Sequence, residues 1–188
     1  MFERFTKDAR EVVQGAVAHC ARSGARTVGA EHMLLALLDR ESGRASFTLT
    51  ALGLAGRKAS VRDALGEARR RGGLSRAESD ALAGLGIDVS EIVARVEEAH
   101  GVGAMAGDAE DRRRWSGRGP GFGRDAKAVL VKALRVAVAQ HDRHIGDEHI
   151  LLALTVLPGP AVEVLADHGV TYTSVTRMLY GAGEAQAG

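Results

Sequence analysis

One cysteine, Cys20, stands among 188 residues, so no internal disulfide is possible and a reducing cytoplasm is the expected compartment. The opening Met1-Phe2-Glu3-Arg4-Phe5 lacks an apolar h-region, and no apolar run approaches the roughly 18 residues that a membrane span needs; neither export nor membrane anchoring is expected. Charge of one sign is also missing. The 25 basic and 24 acidic residues nearly cancel, and they do so locally, with 15 against 14 in residues 1–100 and 10 against 10 in the remainder. No basic face for nucleic acid or a membrane surface is announced, and neither partner is expected. The four lysines follow Thr6, Arg57, Ala126 and Val131, so there is no Gly-Lys dipeptide and no Walker A phosphate loop. The seven histidines show no zincin-type spacing. No acid, base and nucleophile set stands out, so an enzyme is not expected.

What the chain does contain is 45% hydrophobic residues, enough for a real core, and a duplication. Residues 5–38 align with 122–155 at a constant offset of 117, without a gap, and 13 of the 34 positions are identical. The identities include Phe5/Phe122, Asp8/Asp125, Gly29/Gly146, Glu31/Glu148 and His32/His149, and then Leu34 to Leu37 against Leu151 to Leu154.

Each copy reads as helices. Ala9, Val12, Val13, Ala16, Val17 and Cys20 recur at three- and four-residue spacing and make one apolar face, repeated by Ala126, Val129, Leu130, Ala133, Leu134 and Ala137. Cys20 on that stripe suits a small buried hydrophobe. After a turn bracketed by Gly24 and Gly29, the run Met33 to Leu38 is apolar on every side, which predicts a buried central helix. Its second copy is expected to start with Asp147 as N-cap, where the first has only Ala30. Phe47, Leu49 and Leu52 before Gly53 suggest a third helix, matched by Val162, Leu165 and Gly169; Val61 and Leu65, matched by Val175 and Leu179, mark a fourth. The fold class is therefore all-α, with four helices per repeat.

Between the copies, Ser75-Arg76-Ala77-Glu78 and Asp88 to Glu91 are capping-box patterns that open two further helices, and Leu85-Gly86-Ile87 echoes Leu52-Gly53-Leu54. Residues 101–121 carry six glycines, Pro120 and the charged cluster Asp108 to Arg114, which reads as a linker. The expected organisation is a first repeat over 1–70, an inserted helical hairpin over 71–100, a linker over 101–121, a second repeat over 122–181 and a tail over 182–188.

The start Met1-Phe2-Glu3-Arg4-Phe5-Thr6 and the doubled Gly-x-Glu-His-(Met/Ile)-Leu-Leu-Ala-Leu phrase at Gly29 and Gly146 closely resemble the N-terminal repeat domain of the ClpC/ClpA-type unfoldases. The resemblance covers residues 1–65 and 122–180. It implies a pseudo-twofold bundle of eight helices that receives adaptors, substrates and phosphoarginine marks, here as a stand-alone module without the ATPase motor and without a cofactor. It further implies a phosphoarginine site made by a threonine and the glutamate of the Glu-His phrase, which map to Thr6 and Glu31. In the second copy Glu148 is kept while Gly123 replaces the threonine, so the Glu31 site is expected to be the stronger. A carboxylate can accept two guanidinium hydrogen bonds, and a hydroxyl with free helix amides can hold phosphoryl oxygens. Each glutamate also suits a plain first-turn partner of its helix dipole. The resemblance implies as well a groove for ClpC-directed cyclic-peptide antibiotics at Phe2, Arg10, Val13, Phe122 and Lys127, though for apolar residues such as Phe2 and Phe122 a staple at a helix end is the commoner role. The functions implied are regulation of a Clp protease machine, through its peptide and protein ligands or through contact with a ClpC-type unfoldase itself, or sequestration of its ligands.

The competing reading is a small helical DNA-binding regulator, for which Arg69-Arg70-Arg71 and Arg112-Arg113-Arg114 are the candidate contacts; acids nearby balance both runs. His141, His144 and His149 cluster with Asp142, Asp147 and Glu148, but capping and turn roles fit them better than a metal site, and none is assigned. Trp115, the single tryptophan, falls in the linker.

Overall fold

The computed structural model describes residues 3–101, 104–106 and 120–181. Phe2, Trp115 and Arg112 to Arg114 lie outside these residues. The first repeat contains α1 (Lys7–Ser23), the short strand β1 (Thr27–Val28), α2 (Ala30–Asp39), α3 (Arg44–Ala51) and α4 (Lys58–Arg70). The insert supplies α5 (Arg76–Gly84) and α6 (Val89–His100). The second repeat then gives β2 (Gly121–Phe122), α7 (Arg124–Ala139), α8 (Asp147–Leu154), α9 (Pro160–Asp167) and α10 (Tyr172–Tyr180). No helix among the described residues is long and apolar enough to cross a membrane.

The local causes are those the sequence carries. Thr6 caps α1, its Oγ1 accepting the Ala9 N–H at 3.1 Å, and Gly24 ends it at φ 73°, a left-handed value that suits glycine. In the second copy His141 holds the equivalent position at φ 59°, so the duplicated turn has kept its backbone conformation without its glycine. Ser75 and Glu78 form a reciprocal capping box at 3.1 and 2.8 Å, whereas at α6 only Asp88 caps and Glu91 turns to Arg95. Cys20 is fully buried and donates to the Ala25 carbonyl at 3.2 Å.

α1 and α2 form an antiparallel hairpin, as do α7 and α8. The apolar α2 and α8 sit at the centre; Leu34, Leu37, Ile150, Leu151 and Leu152 are essentially without solvent contact. Around them α3 packs on α8 while α9 packs on α2, an exchange that relates the two repeats by an approximate twofold axis. The same exchange governs the backbone. Phe5 bridges Ile145, with Thr6 N–H to the Ile145 carbonyl at 2.9 Å and Ile145 N–H to the Arg4 carbonyl at 2.7 Å. Its counterpart is the parallel pairing of β2 with β1, in which Phe122 faces Val28 and Gly123 N–H reaches the Val28 carbonyl at 2.9 Å. Each repeat's lead-in segment is thus completed by the other repeat.

Three expectations need correction. The N-caps of the central helices are Gly29 and Gly146, not Ala30 and Asp147; Asp147 is inside the helix and its carboxylate accepts the Ala45 N–H at 3.0 Å. Phe47, placed on an apolar stripe by its spacing, is 69% exposed. Leu85 and Ile87 are exposed, while their counterparts Leu52 and Leu54 are half-buried and buried, so the echo does not extend to packing. The arginine run at 69–71 serves the bundle: Arg69 donates to the Ser23 carbonyl at 3.3 Å and Arg70 pairs with Glu97 at 3.4 Å.

Candidate binding site

The repeated Gly-x-Glu-His phrase is a helix start with a specific construction. The Gly29 N–H donates to His32 Nδ1 at 2.9 Å, and the Gly146 N–H to His149 Nδ1 at 2.8 Å, which satisfies an amide that a helix N-terminus leaves unpaired. A ring nitrogen that accepts carries no proton, so Nε2–H is the donor, to Asp142 at 2.9 Å in the second copy; in the first, His32 Nε2 lies 3.2 Å from Ser23 Oγ. Burial first of all pulls the His149 pKa below its ordinary value, against the raising effect of Asp142. Asp142, Glu148 and His149 can bring one ligand atom each within 4.8 Å of the others, but both imidazole nitrogens and the glutamate are engaged by protein groups.

The glycine makes room for the glutamate. A Cβ on Gly29 would stand 2.2 Å from Glu31 Oε2, and one on Gly146 would stand 2.0 Å from Glu148 Oε2. Both carboxylates therefore fold back over their own helix start. Gly146 has φ −90°, which any residue can adopt, so the requirement is steric.

Thr6 does not meet Glu31. α1 is 17 residues long, about 25 Å at 1.5 Å per residue, and Ser23 at its far end contacts His32. Thr6 sits at the near end, hydrogen-bonded to Ile145 just before the Glu148 helix. The expected pairing is thereby corrected: the threonine accompanies Glu148, and Gly123 accompanies Glu31. The duplication shows which residues are equivalent. It does not show that partners come from opposite copies.

The two junctions differ chemically. At Glu31 the first free amide of α2, Ala30 N–H, already donates to Asp125 Oδ2 at 2.7 Å. Burial, and then the Asp125 charge, push the Glu31 carboxyl above its ordinary range, opposed by a hydrogen bond from its own backbone and by the Arg69 charge. At Glu148 the side chain is only 7% exposed and Oε1 accepts from Arg44 Nη1 at 2.8 Å. The Arg44 guanidinium also lies over the Tyr180 ring, 5.6 Å from its centroid. Tyr180 Oη is buried without a hydrogen-bond partner among the described residues. Beside this cluster opens a groove of about 410 Å³ lined by Asp8, Gly43, Arg44, Phe47, Met178 and Leu179. Asp8 of that lining is paired with Arg40, which also pairs with Glu11 at 2.6 Å.

Asp147 stands next to Glu148 and almost out of solvent. Burial, the Glu148 carboxyl and the Asp8 charge push its pKa up to about 6. An acid whose native pKa exceeds its unfolded value binds its proton more tightly when folded. It therefore weakens the fold at neutral pH, and the penalty fades as pH falls from about 6 to about 4. Asp147→Asn, which keeps an oxygen for the Ala45 N–H, should raise stability at pH 7.5 by on the order of 2 kcal/mol and by little at pH 4. Denaturant melts at the two pH values check this; an equal effect at both would contradict it.

Of the residues expected around an inter-repeat groove, Val13 is buried in the core, Phe122 is half-buried in β2, and Arg10 and Lys127 are exposed.

The family profile described as the Clp repeat (R) N-terminal domain matches residues 4–81 and 121–186. Among solved structures, the chain is similar to the crystal structure of the N-terminal domain of the caseinolytic protease associated chaperone ClpD from Arabidopsis thaliana, at 18% identity and a TM-score of 0.53, covering 97% of this chain and 96% of that one. It is also similar to a structure from preliminary structural investigations of a malarial protein secretion system, at 12% identity and a TM-score of 0.61, covering 98% of both chains. Likeness at these identities establishes the fold.

Proposed function

The chain belongs to the Clp repeat N-terminal domain family, and from that premise we propose that it is a non-catalytic receptor for guanidinium groups carried on protein ligands, phosphoarginine first among them. The binding place is the junction of Thr6 with the Glu148 helix. The observation that supports this reading is the exchange of lead-in segments, which pairs the backbone of Thr6 with Ile145, three residues before the buried Glu148 carboxylate and its neighbouring groove. Glu148 offers acceptors for a guanidinium, and Thr6 keeps a hydroxyl proton to give to a phosphoryl oxygen while its lone pair caps α1. The other junction is weaker on two counts: it has no threonine, and Asp125 holds the amide that an anion would use.

Such a module regulates a Clp protease machine by holding marked proteins or adaptors, or sequesters the machine's ligands. Sequestration works by mass action, so it operates only where the receptor exceeds both the ligand concentration and the dissociation constant. Titration calorimetry of the 188-residue protein with phosphoarginine should show binding, with free arginine at least tenfold weaker, about 1.4 kcal/mol. Glu148→Ala should remove binding, whereas Glu31→Ala should leave most of it. Binding that survives Glu148→Ala and disappears with Glu31→Ala would overturn the assignment.

A further inference from the structure

We propose that Arg44 is a built-in competitor for the Glu148 carboxylate, a guanidinium of the chain's own that closes the site until a ligand displaces it. The proposal rests on the reading of that junction as a guanidinium receptor. It starts from a contact already made: Arg44 Nη1 is 2.8 Å from Glu148 Oε1, and the guanidinium lies on the Tyr180 ring. A carboxylate acceptor and an aromatic face are the two things that an incoming guanidinium would use.

The position of Arg44 is not explained by its own helix. It is the first residue of α3, behind Gly43, and a cation there faces the positive end of the helix dipole. What draws it in is the acidic group formed by Glu148, Asp147 and Asp8. In the second copy Gly159 precedes α9 as Gly43 precedes α3, and the residue that follows is Pro160, which has no charge and suits a first helical turn. Arg44 therefore has no cationic counterpart at the equivalent position of the other junction.

Displacement is geometrically easy. The Arg44 side chain is 51% exposed and lines the groove, whereas Glu148 is buried behind it. The hydrogen bond that fixes this end of α3 to α8 runs through the backbone of Ala45 to Asp147, so Arg44 can swing outward without breaking it. One guanidinium then replaces another on the same carboxylate, so the buried charge is paired both before and after the exchange. The observed affinity is the intrinsic affinity multiplied by the fraction of molecules in which Arg44 has swung out.

Two measurements on the full chain test this. In calorimetry, Arg44→Ala should bind phosphoarginine at least tenfold more tightly than the parent. In thermal melts, Arg44→Ala should lose stability because Glu148 is left unpaired, and millimolar methylguanidinium should restore part of that loss while leaving the parent unshifted. Arg44→Gln, which keeps a neutral hydrogen bond to Glu148, serves both assays if the alanine variant does not fold. Unchanged or weaker phosphoarginine binding in a variant that folds overturns the proposal, as does failure of methylguanidinium to raise its melting temperature. If phosphoarginine binds neither parent nor variant, the phosphoarginine reading falls, and the methylguanidinium melt alone decides whether Arg44 fills a guanidinium site.

Discussion

Leu151→Ala should lower the stability of this protein by about 3–5 kcal/mol, at the upper end of large-to-small core changes. Every residue of α8 is buried, and Leu151 is flanked on all sides by helices of both repeats, so the cavity has little surrounding structure free to collapse into it. The equivalent Leu34→Ala should cost slightly less, because α2 leaves Ala30, Glu31 and Leu35 only partly covered. Chemical denaturation followed by circular dichroism measures both. Since α2 and α8 share one core, each variant should shift a single transition to lower denaturant and not split it into two. Two separate transitions would mean that the repeats are stable independently, against the reciprocal packing.

Gly146→Ala is the second substitution with a large expected effect, and it separates two reasons for a glycine. Its new methyl would collide with Glu148 Oε2 at 2.0 Å, forcing the carboxylate off Arg44 and out of its buried position. Glu148 is buried while Arg44 is half exposed, so losing the pair should cost about 2 kcal/mol. Phosphoarginine binding should vanish with it, as in Glu148→Ala. Gly24→Ala is the control: nothing stands within 4 Å of its added Cβ, and the strain comes only from φ 73°, so the cost should be about 1 kcal/mol. Melts of both variants decide the matter; a Gly146→Ala protein as stable as the parent would show that Glu148 has another place to go.

Much of this architecture is legible in the residues. The 117-residue offset fixes the duplication, the all-round apolar run from Met33 marks the central helix, and Gly53 and Gly169 end α3 and α9 at φ 78° and 80°. Local chemistry is short-ranged, and a sequence states it directly. Partnership between distant segments is not local. Nothing in Thr6 or Glu148 records that one lead-in crosses to the other copy, and pairing within a copy is the natural first assumption. The role of Arg44 is equally non-local, since it depends on α3 packing against α8 of the other copy as well as against α2. Phe47 misled because three apolar residues at helical spacing do not say whether the stripe ends in a core or at the lip of a groove. The Gly-x-Glu-His phrase could have been read further: a histidine three residues after a glycine N-cap is the reciprocal half of a capping box.

The crossing of the lead-in segments bears on how such a molecule could arise. One repeat by itself leaves its lead-in without a backbone partner and its glutamate without a threonine. It could complete both only by associating with an identical copy across a twofold axis, where the two junctions are the same by symmetry. Fusing the copies into one chain ends that obligation. A substitution in one half then touches a single junction, and the pair can specialise. Gly123 in place of a threonine, and Pro160 where the other half has Arg44, are two such departures, and each leaves its mark on one side only.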